Sequence, residues 1–189
     1  EEVDLILLAT CSAEYLCPSA ACQVQAAIGA VNANAFDINA ACSGFVFGLN
    51  MAQAYIQSGM YSRILIVGSE VLTKMTDWND RGTCVLFGDG AGAALVEAHE
   101  EGDSRMLGCI EGADGTKGMV LNCRSRMIDN PLFHEDREKA GGLHLSMDGR
   151  EVYCFATRQV ADCINQVLKK TELKVEDIDL FVLHQANVR

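Results

Sequence analysis

The sequence predicts an α/β fold in which strands and helices alternate along the chain and pack in layers. Short runs of mainly branched apolar residues, such as residues 4–10 and 63–67, have the composition of strands buried on both faces. Between such runs lie segments whose apolar residues recur with the period of an amphipathic helix. Pro or Gly stands at several of the boundaries, where a change of element is expected. This alternation is typical of layered α/β domains.

The first three elements follow from local patterns. Residues 4–10 (Asp-Leu-Ile-Leu-Leu-Ala-Thr) form a short apolar run and predict a buried strand. Pro18 precedes a predicted helix over residues 19–28, and Gly29 ends it. Apolar and polar residues alternate over 35–40, which indicates a second strand.

The middle of the chain continues the alternation. A helix is predicted directly after Cys42, with apolar residues on one face and Gly59 at its end. Residues 63–67 (Arg-Ile-Leu-Ile-Val) predict another buried strand. The stretch over residues 84–97 is rich in glycine. It lacks the Lys-Ser/Thr pair of a phosphate-binding P-loop, so we expect its glycines to permit close approach of backbone near a site.

The remaining elements are predicted in the same way. Residues 106–112 are a strand candidate, and residues 122–142 are polar and irregular, which indicates a long surface loop. Residues 150–169 predict an amphipathic helix with an apolar stripe that begins at Tyr153. Residues 178–183 (Ile-Asp-Leu-Phe-Val-Leu) predict a last strand.

Composition restricts the class of partner and the compartment. The formal net charge of −11 argues against nonspecific binding to nucleic acid. The nine cysteines include no Cys-x-x-Cys pair, and no long apolar run or leader-like segment is present, so we expect neither a zinc site nor a membrane span. These features favour a reducing, cytoplasmic environment in which most cysteines are small apolar residues.

The chain has an internal similarity and unusual ends. It does not begin with Met, and both ends lie next to predicted strands, so we expect a fragment of a longer protein. Residues 3–9 resemble residues 178–184, which hints at a duplication. On this basis we expect two related halves, residues 1–98 and residues 99–189.

Cys42 is the strongest candidate for chemistry. A predicted strand leads into it, small residues surround it and a helix leads out, as in a nucleophile elbow. A sulfur at a helix N-terminus is favoured as the thiolate, which is the nucleophilic form. The same pattern also fits a buried cysteine at a helix start, and spacing alone does not decide between them. His184 follows the last predicted strand and is the candidate partner, although a lone histidine more often has a surface or capping role.

Four motifs in order make a more specific case. They are residues 40–45 (Ala-Ala-Cys-Ser-Gly-Phe), 80–83 (Asp-Arg-Gly-Thr), 87–93 (Phe-Gly-Asp-Gly-Ala-Gly-Ala) and 184–189 (His-Gln-Ala-Asn-Val-Arg). Together they resemble β-ketoacyl-acyl-carrier-protein synthase III, the initiating condensing enzyme of type II fatty-acid synthesis in the thiolase superfamily. The resemblance runs over essentially the whole chain and implies a thiolase-like, duplicated α/β/α/β/α layered fold, incomplete in this chain.

The resemblance also implies a reaction. Cys42 would take a short acyl group, acetyl for instance, from acyl-CoA, and His184 would support the loss of CO2 from malonyl-acyl-carrier protein. The product would be 3-oxoacyl-acyl-carrier protein. The family implies a homodimer and no metal or other cofactor, because the CoA thioester is a substrate.

Further site residues are carried over one by one. The resemblance implies that Arg81 contacts the CoA nucleotide and that Phe87 and Met147 line the acyl pocket. It places Asn187 near the pantetheine and Arg189 on the surface that docks the carrier protein. At position 17, where the family often has Phe at the dimer interface, this chain has Cys17, so we expect a roomier acyl pocket.

The chain departs from the family pattern at its ends. The His-Gly-Asn motif that supplies a second catalytic amide is not in the sequence, nor is the Gly-rich C-terminal segment of the family. We therefore expect these 189 residues alone to turn over poorly or not at all. Alternatives from other classes are a related condensing enzyme of polyketide or quinolone assembly, a degradative thiolase, a cysteine thioester hydrolase and a piece without activity.

Overall fold

The protein divides into two compact units, each described here by itself. A computed structural model describes residues 2–99, 105–124, 129–130, 132–134 and 143–186. The first unit comprises residues 1–71 and 89–109, and the second comprises residues 72–88 and 110–189. This division rests on contacts and not on internal similarity. The expectation of two related halves, 1–98 and 99–189, is not tested by it and stays a prediction.

The first unit is a four-stranded sheet with two helices. In chain order its elements are β1 (Leu5–Ala9), α1 (Ala20–Ile28), β2 (Asn34–Ile38), α2 (Gly44–Gln57), β3 (Arg63–Val71) and β4 (Asp89–Glu97). The strand order is β2-β1-β3-β4. Strand β1 runs parallel to β2 and β3, whereas β4 is antiparallel to β3. The carboxyl ends of β1, β2 and β3 therefore meet at one edge of the sheet, which is where α/β folds commonly place their sites.

Strand β1 is buried on both faces because a helix covers each face. Leu5 and Leu7 pack in a cluster with residues of α2, whereas Ile6 and Leu8 pack in a second cluster with residues of α1. Each of these four side chains is almost completely buried. Burial of one such side chain contributes about 1.5–3 kcal/mol. The α/β layering that the sequence predicts is confirmed in this unit.

Helix α1 is capped from two directions. The Ser19 hydroxyl accepts a hydrogen bond from the Cys22 N–H at 3.3 Å. The carboxylate of Asp37, on β2, accepts from the N–H groups of Ala20 at 2.8 Å and Ala21 at 2.7 Å. A negative charge at this end is also favoured by the helix dipole. The helix therefore starts where β2 provides acceptors for its free amides.

The second unit contains one long helix and short strand pairs among its described residues. Its elements are β5 (Leu121–Asn122), β6 (Asp129–Asn130), β7 (Phe133–His134), β8 (Ser146–Met147) and α3 (Gly149–Thr171). Strand β5 pairs with β8, and β6 pairs with β7, both antiparallel. Asp148 caps the start of α3 (Gly149–Thr171), because its carboxylate accepts from the N–H groups of Arg150 and Glu151, both at 3.1 Å.

Three predictions about elements need correction. Residues 106–112 and 178–183 have no strand pairing, because the described chain offers them no neighbouring strand for a hydrogen-bond ladder. The predicted loop over residues 122–142, of which 125–128, 131 and 135–142 lie outside the described residues, contains the β6 and β7 pair. Apolar composition alone therefore predicted strands at two segments that have no partner strand among the described residues.

The long helix is less covered than its apolar stripe predicts. Tyr153 and Val160 remain 48% and 42% exposed, and Leu168 is the buried apolar side chain of the described second unit. In the parts of the chain that the structure describes, no helix is both long and apolar enough to cross a membrane.

Candidate active site

Cys42 lies on a single 3-10 turn, Ala41–Ser43, between the end of β2 and the start of α2. The residue is exposed. The predicted strand–turn–helix setting is therefore confirmed as geometry. It presents the sulfur at the carboxyl edge of the sheet, where a substrate can reach it.

The backbone of this turn is strained at the residue before Cys42. Ala41 has φ of 45°, in the left-handed region that residues with a Cβ atom rarely adopt. Such a conformation costs about 1–2 kcal/mol and persists only where the surroundings impose it. The Ala41 N–H donates to the side-chain oxygen of Asn39 at 3.4 Å, and the Ser43 N–H donates to the Ala40 carbonyl at 3.1 Å.

Close packing fixes the start of α2 against the sheet. A Cβ atom on Gly44 would lie 2.7 Å from the Cβ of Ala9, and one on Gly48 would lie 2.9 Å from the Cγ2 of Ile66. Contacts under 3.0 Å are not tolerated, so both positions require glycine unless the helix shifts. The turn with Cys42 is therefore held next to the carboxyl end of β1.

The residues that follow β1 form a second turn at this edge. Glu70, on β3, accepts hydrogen bonds from the Cys11 N–H at 2.9 Å, from the Thr10 hydroxyl at 3.4 Å and from the Ser12 hydroxyl. The Ser12 hydroxyl oxygen also accepts from the Val71 N–H at 2.8 Å. One carboxylate thus receives hydrogen bonds from three consecutive residues and ties this turn to β3.

The Cys11 thiol has a strongly altered acidity. Partial burial of the sulfur is the largest cause, followed by the negative charge of Glu70, a hydrogen bond to its carboxylate and the nearby Cys42. Together they raise the pKa of Cys11 to about 12. Because thiolate is the reactive form, Cys11 is a neutral and unreactive thiol near neutral pH.

The site residues predicted in the second unit lie on its surface or are half-buried. Arg81 is exposed on a turn in which Asp80 accepts from the Gly82 N–H at 2.9 Å and from the Thr83 hydroxyl at 2.7 Å. These bonds, that of Thr83 first, lower the pKa of Asp80. Phe87 is half-buried.

The other predicted site residues are distributed over both units. Met147 is half-buried on β8, and His184 is exposed in the irregular segment after Leu183. Cys17 is exposed in the first unit. Asn187 and Arg189 lie outside the described residues.

Comparison with known proteins shows what the chain is similar to. The profile of 3-Oxoacyl-[acyl-carrier-protein (ACP)] synthase III matches residues 36–115. The beta-ketoacyl-[acyl-carrier-protein] synthase III of Clostridium novyi is 48% identical over 189 residues, all of this chain and 57% of the relative. The 3-oxoacyl-[acyl-carrier-protein] synthase III of Aquifex aeolicus superposes with a TM-score of 0.86 at 40% identity, over 99% of this chain and 55% of that structure. The Thermus thermophilus synthase III gives 0.87 at 39% identity, over 99% and 56%. The chain is therefore similar to 3-oxoacyl-[acyl-carrier-protein] synthase III over its whole length.

This similarity to synthase III confirms the predicted resemblance, and the superpositions confirm the thiolase-like α/β fold class. The chain spans just over half the length of the relatives it matches, 57% of the Clostridium novyi enzyme. The comparisons do not favour the polyketide-type or hydrolase alternatives. The roles of the individual site residues stay predictions.

Two features of the candidate site were missed or misinterpreted from sequence. Glu70 and Cys11 were not singled out as a pair. The signals that could have revealed the pair were a carboxylate near the end of the otherwise apolar β3 and a polar turn after β1. The glycines of residues 84–97 were expected to permit close backbone approach. A Cβ atom at Gly88, Gly90 or Gly92 would meet nothing within 4 Å in the described structure, so that expectation is wrong there.

Proposed function

We propose that the protein to which this chain belongs catalyses decarboxylative condensation of a short acyl-CoA, such as acetyl-CoA, with malonyl-acyl-carrier protein. The product is 3-oxoacyl-acyl-carrier protein, and the step initiates fatty-acid biosynthesis. The observation that carries the proposal is the exposed Cys42 on the turn between β2 and α2. The similarity to synthase III relatives over the whole chain supports the same reaction.

The first step is loading of the acyl group. The Cys42 sulfur attacks the carbonyl carbon of the acyl-CoA thioester, and a tetrahedral oxyanion forms. The carbon–sulfur bond to CoA then breaks, CoA leaves as its thiolate and takes up a proton, and acyl-Cys42 remains. Ala41, Ser43 and Gly44 next to the sulfur are small, which leaves space for the thioester, and the Cys42 N–H is the expected oxyanion donor.

The second step forms the carbon–carbon bond. Malonyl-acyl-carrier protein loses CO2, and the electron pair of the broken bond passes into an enolate of the remaining thioester. His184 is the predicted donor that stabilises the developing charge on the thioester oxygen. The enolate carbon attacks the carbonyl of acyl-Cys42, and the Cys42 sulfur leaves. The 3-oxoacyl chain stays on the carrier protein.

The remaining assignments belong to the same proposal. Arg81 binds the CoA nucleotide, Phe87 and Met147 line the acyl pocket, and Asn187 lies near the pantetheine. Arg189 docks the carrier protein, and Cys17 stands at a homodimer interface and leaves room in the pocket. No metal or bound cofactor is required, because the acyl group arrives on CoA. We place the enzyme in the cytoplasm, as its cysteine usage favours.

Acyl loading of Cys42 is the step of the reaction that is tested on this chain. The chain is incubated with acetyl-CoA, and its intact mass and tryptic peptides are measured. We expect one acetyl group on the peptide that contains Cys42. Cys42→Ser abolishes the adduct, whereas Cys22→Ser, a matched change of an exposed cysteine on α1, retains it. Acetyl groups spread evenly over several cysteines would contradict a dedicated acyl site.

A further inference from the structure

A second thiol lies at the same sheet edge as the proposed nucleophile. Cys11 is two residues past Ala9, the last residue of β1, and Cys42 is two residues before Gly44. Ala9 and Gly44 are in direct contact, since a Cβ on Gly44 would lie 2.7 Å from the Ala9 Cβ. The two cysteines therefore extend from the same point of contact, and both are exposed.

The turn that carries Cys11 is held by one side chain of β3. Glu70 accepts from the Cys11 N–H and from the hydroxyls of Thr10 and Ser12. The Ser12 hydroxyl in turn accepts from the Val71 N–H, next to Glu70 in sequence. A carboxylate with this many donors has a fixed position, and it lies against the Cys11 thiol.

We propose that Glu70 is a positioning residue of the Cys42 site, which holds the turn of residues 10–12 and keeps the Cys11 thiol from taking the acyl group of Cys42. This inference rests on the proposed function, because it concerns the fate of acyl-Cys42. It also explains why an acidic side chain lies near Cys42, although the proposed loading step uses no acid or base.

The exchange that Glu70 opposes is a simple thioester transfer. Cys11 loses its proton, its sulfur attacks the carbonyl of acyl-Cys42, and the Cys42 sulfur leaves with the electron pair of the broken bond. The products are acyl-Cys11 and the free Cys42 thiolate, and no oxidant or further reactant is needed. An acyl group on Cys11 would be displaced from the position in which the second step uses it.

Glu70 opposes this transfer by adding a negative charge and a hydrogen bond to the effect of burial on the Cys11 thiol. Burial of the sulfur is the largest cause of the raised pKa of Cys11. The titratable groups that raise it further are Glu70 of β3, by its charge and a hydrogen bond, and Cys42 of the turn before α2. With a pKa of about 12, roughly one Cys11 in 10⁵ is a thiolate at pH 7. The attack on acyl-Cys42 is suppressed because the thiolate is the nucleophile, although by less than this fraction, since a more basic thiolate is also a stronger nucleophile.

Glu70→Gln separates this effect from a merely structural one. Glutamine keeps the size of the side chain and an oxygen that accepts hydrogen bonds, but it removes the charge. Glu97→Gln is the matched control on the same sheet, since Glu97 pairs with Arg63 at the other end of β3. Glu70→Asp keeps the charge on a shorter side chain and serves as the second variant if the glutamine variant does not fold.

The first measurement is alkylation of Cys11 by iodoacetamide from neutral to alkaline pH, followed by peptide mass spectrometry. We expect the pH midpoint for Cys11 to fall by about one unit or more in Glu70→Gln, by less in Glu70→Asp and not at all in Glu97→Gln. Near neutral pH the rate should rise by about threefold for each unit, because a less basic thiolate is also a weaker nucleophile.

The second measurement locates the acetyl group after incubation with acetyl-CoA. We expect it on Cys42 in the wild-type chain and on both Cys42 and Cys11 in Glu70→Gln. Adding Cys42→Ser to Glu70→Gln should remove the acetyl group from Cys11, since the group arrives from Cys42. In the full-length protein, a wild type that takes no acetyl group contradicts the proposed function. Acetyl on Cys42, with the same Cys11 behaviour in the wild-type and Glu70→Gln chains, contradicts this inference alone.

Discussion

The Cβ of Ala9 occupies the space into which a side chain at Gly44 would project, at 2.7 Å from the ideal Cβ position. This contact joins the end of the central strand β1 to the first residue of α2. It determines how closely the helix approaches the sheet, and with it the position of the turn that carries Cys42. Cys42, the proposed nucleophile, is thus positioned by a residue that has to lack a side chain.

Gly44→Ala should destabilise the first unit and impair acyl loading. The added methyl group meets the Ala9 Cβ, part of a buried strand, so α2 has to move outward. Overpacking of this kind costs about 1–3 kcal/mol. Urea unfolding and the rate of Cys42 acetylation measure the two effects. Gly90→Ala on β4, where a Cβ meets nothing within 4 Å, is the control and should change neither. Equal stability of both variants would show that the contact relaxes freely.

Asp37→Ala should weaken the docking of α1 on β2. The substitution leaves the N–H groups of Ala20 and Ala21 without their acceptor and removes a charge that favours the helix N-terminus. We expect a loss of about 1–2 kcal/mol in the free energy of unfolding. Asp162→Ala, on the exposed surface of α3, should stay within about 0.5 kcal/mol of the wild type. If Asp37→Ala and Asp162→Ala have the same unfolding midpoint, the Asp37 cap does not contribute to stability.

Thr83→Val should raise the pKa of Asp80 towards its ordinary value of 3.8. The Thr83 hydroxyl is the largest cause of the lowered pKa, and valine removes it with little change of shape. A carboxyl whose folded pKa is depressed stabilises the fold above its unfolded pKa, and this stabilisation is lost as the pH falls through the folded pKa. The stability difference between variant and wild type should therefore shrink in acid.

Carboxyl carbon chemical shifts, followed by NMR against pH, test the Asp80 prediction directly. Asp114 is an internal control, because its pKa is also lowered by a threonine, Thr116, that the substitution leaves in place. The interpretation fails if the Asp80 titration is unchanged, or if the Asp80 and Asp114 titrations move together.

His184→Gln should leave the loading of Cys42 intact. In the proposed mechanism His184 acts on malonyl-acyl-carrier protein after the acyl-enzyme has formed, so it is not needed for the first step. We expect the extent of acetylation of Cys42 by acetyl-CoA to match the wild type, with Cys42→Ser as the negative control. A loading rate that drops by tenfold or more would assign His184 to activation of the cysteine. A tenfold drop corresponds to about 1.4 kcal/mol of transition-state stabilisation.

Much of the fold of the first unit could be predicted, because its signals are local. The five residues of β1 form an unbroken apolar run, and the Pro18 and Gly29 signals enclose α1 to within a residue. Strand β3 was predicted to end at Val67, yet it continues to Val71. Its last residues are extended because they pair with β4, as Gly68 does with Gly92, and such pairing is not visible in local composition.

The candidate site divides in the same way. Cys42 could be found because strand, turn and helix are consecutive in sequence. Glu70 could not, because its hydrogen bond to Cys11 joins residues 59 positions apart. The predicted strand over 178–183 shows the opposite error. Its apolar residues favoured a strand, but Leu180 and Val182 remain 75% and 84% exposed, and no ladder forms among the described residues.

The carboxylate of Asp37 has a consequence for local opening of the protein. It belongs to β2, an edge strand, but it holds the amides of Ala20 and Ala21, which lie 17 and 16 positions away along the chain. Exchange of these two amide hydrogens with solvent deuterium requires the bonds to Asp37 to break. Because β2 leads directly into the turn of Cys42, slow exchange at the start of α1 reports that β2 is still attached next to the proposed nucleophile.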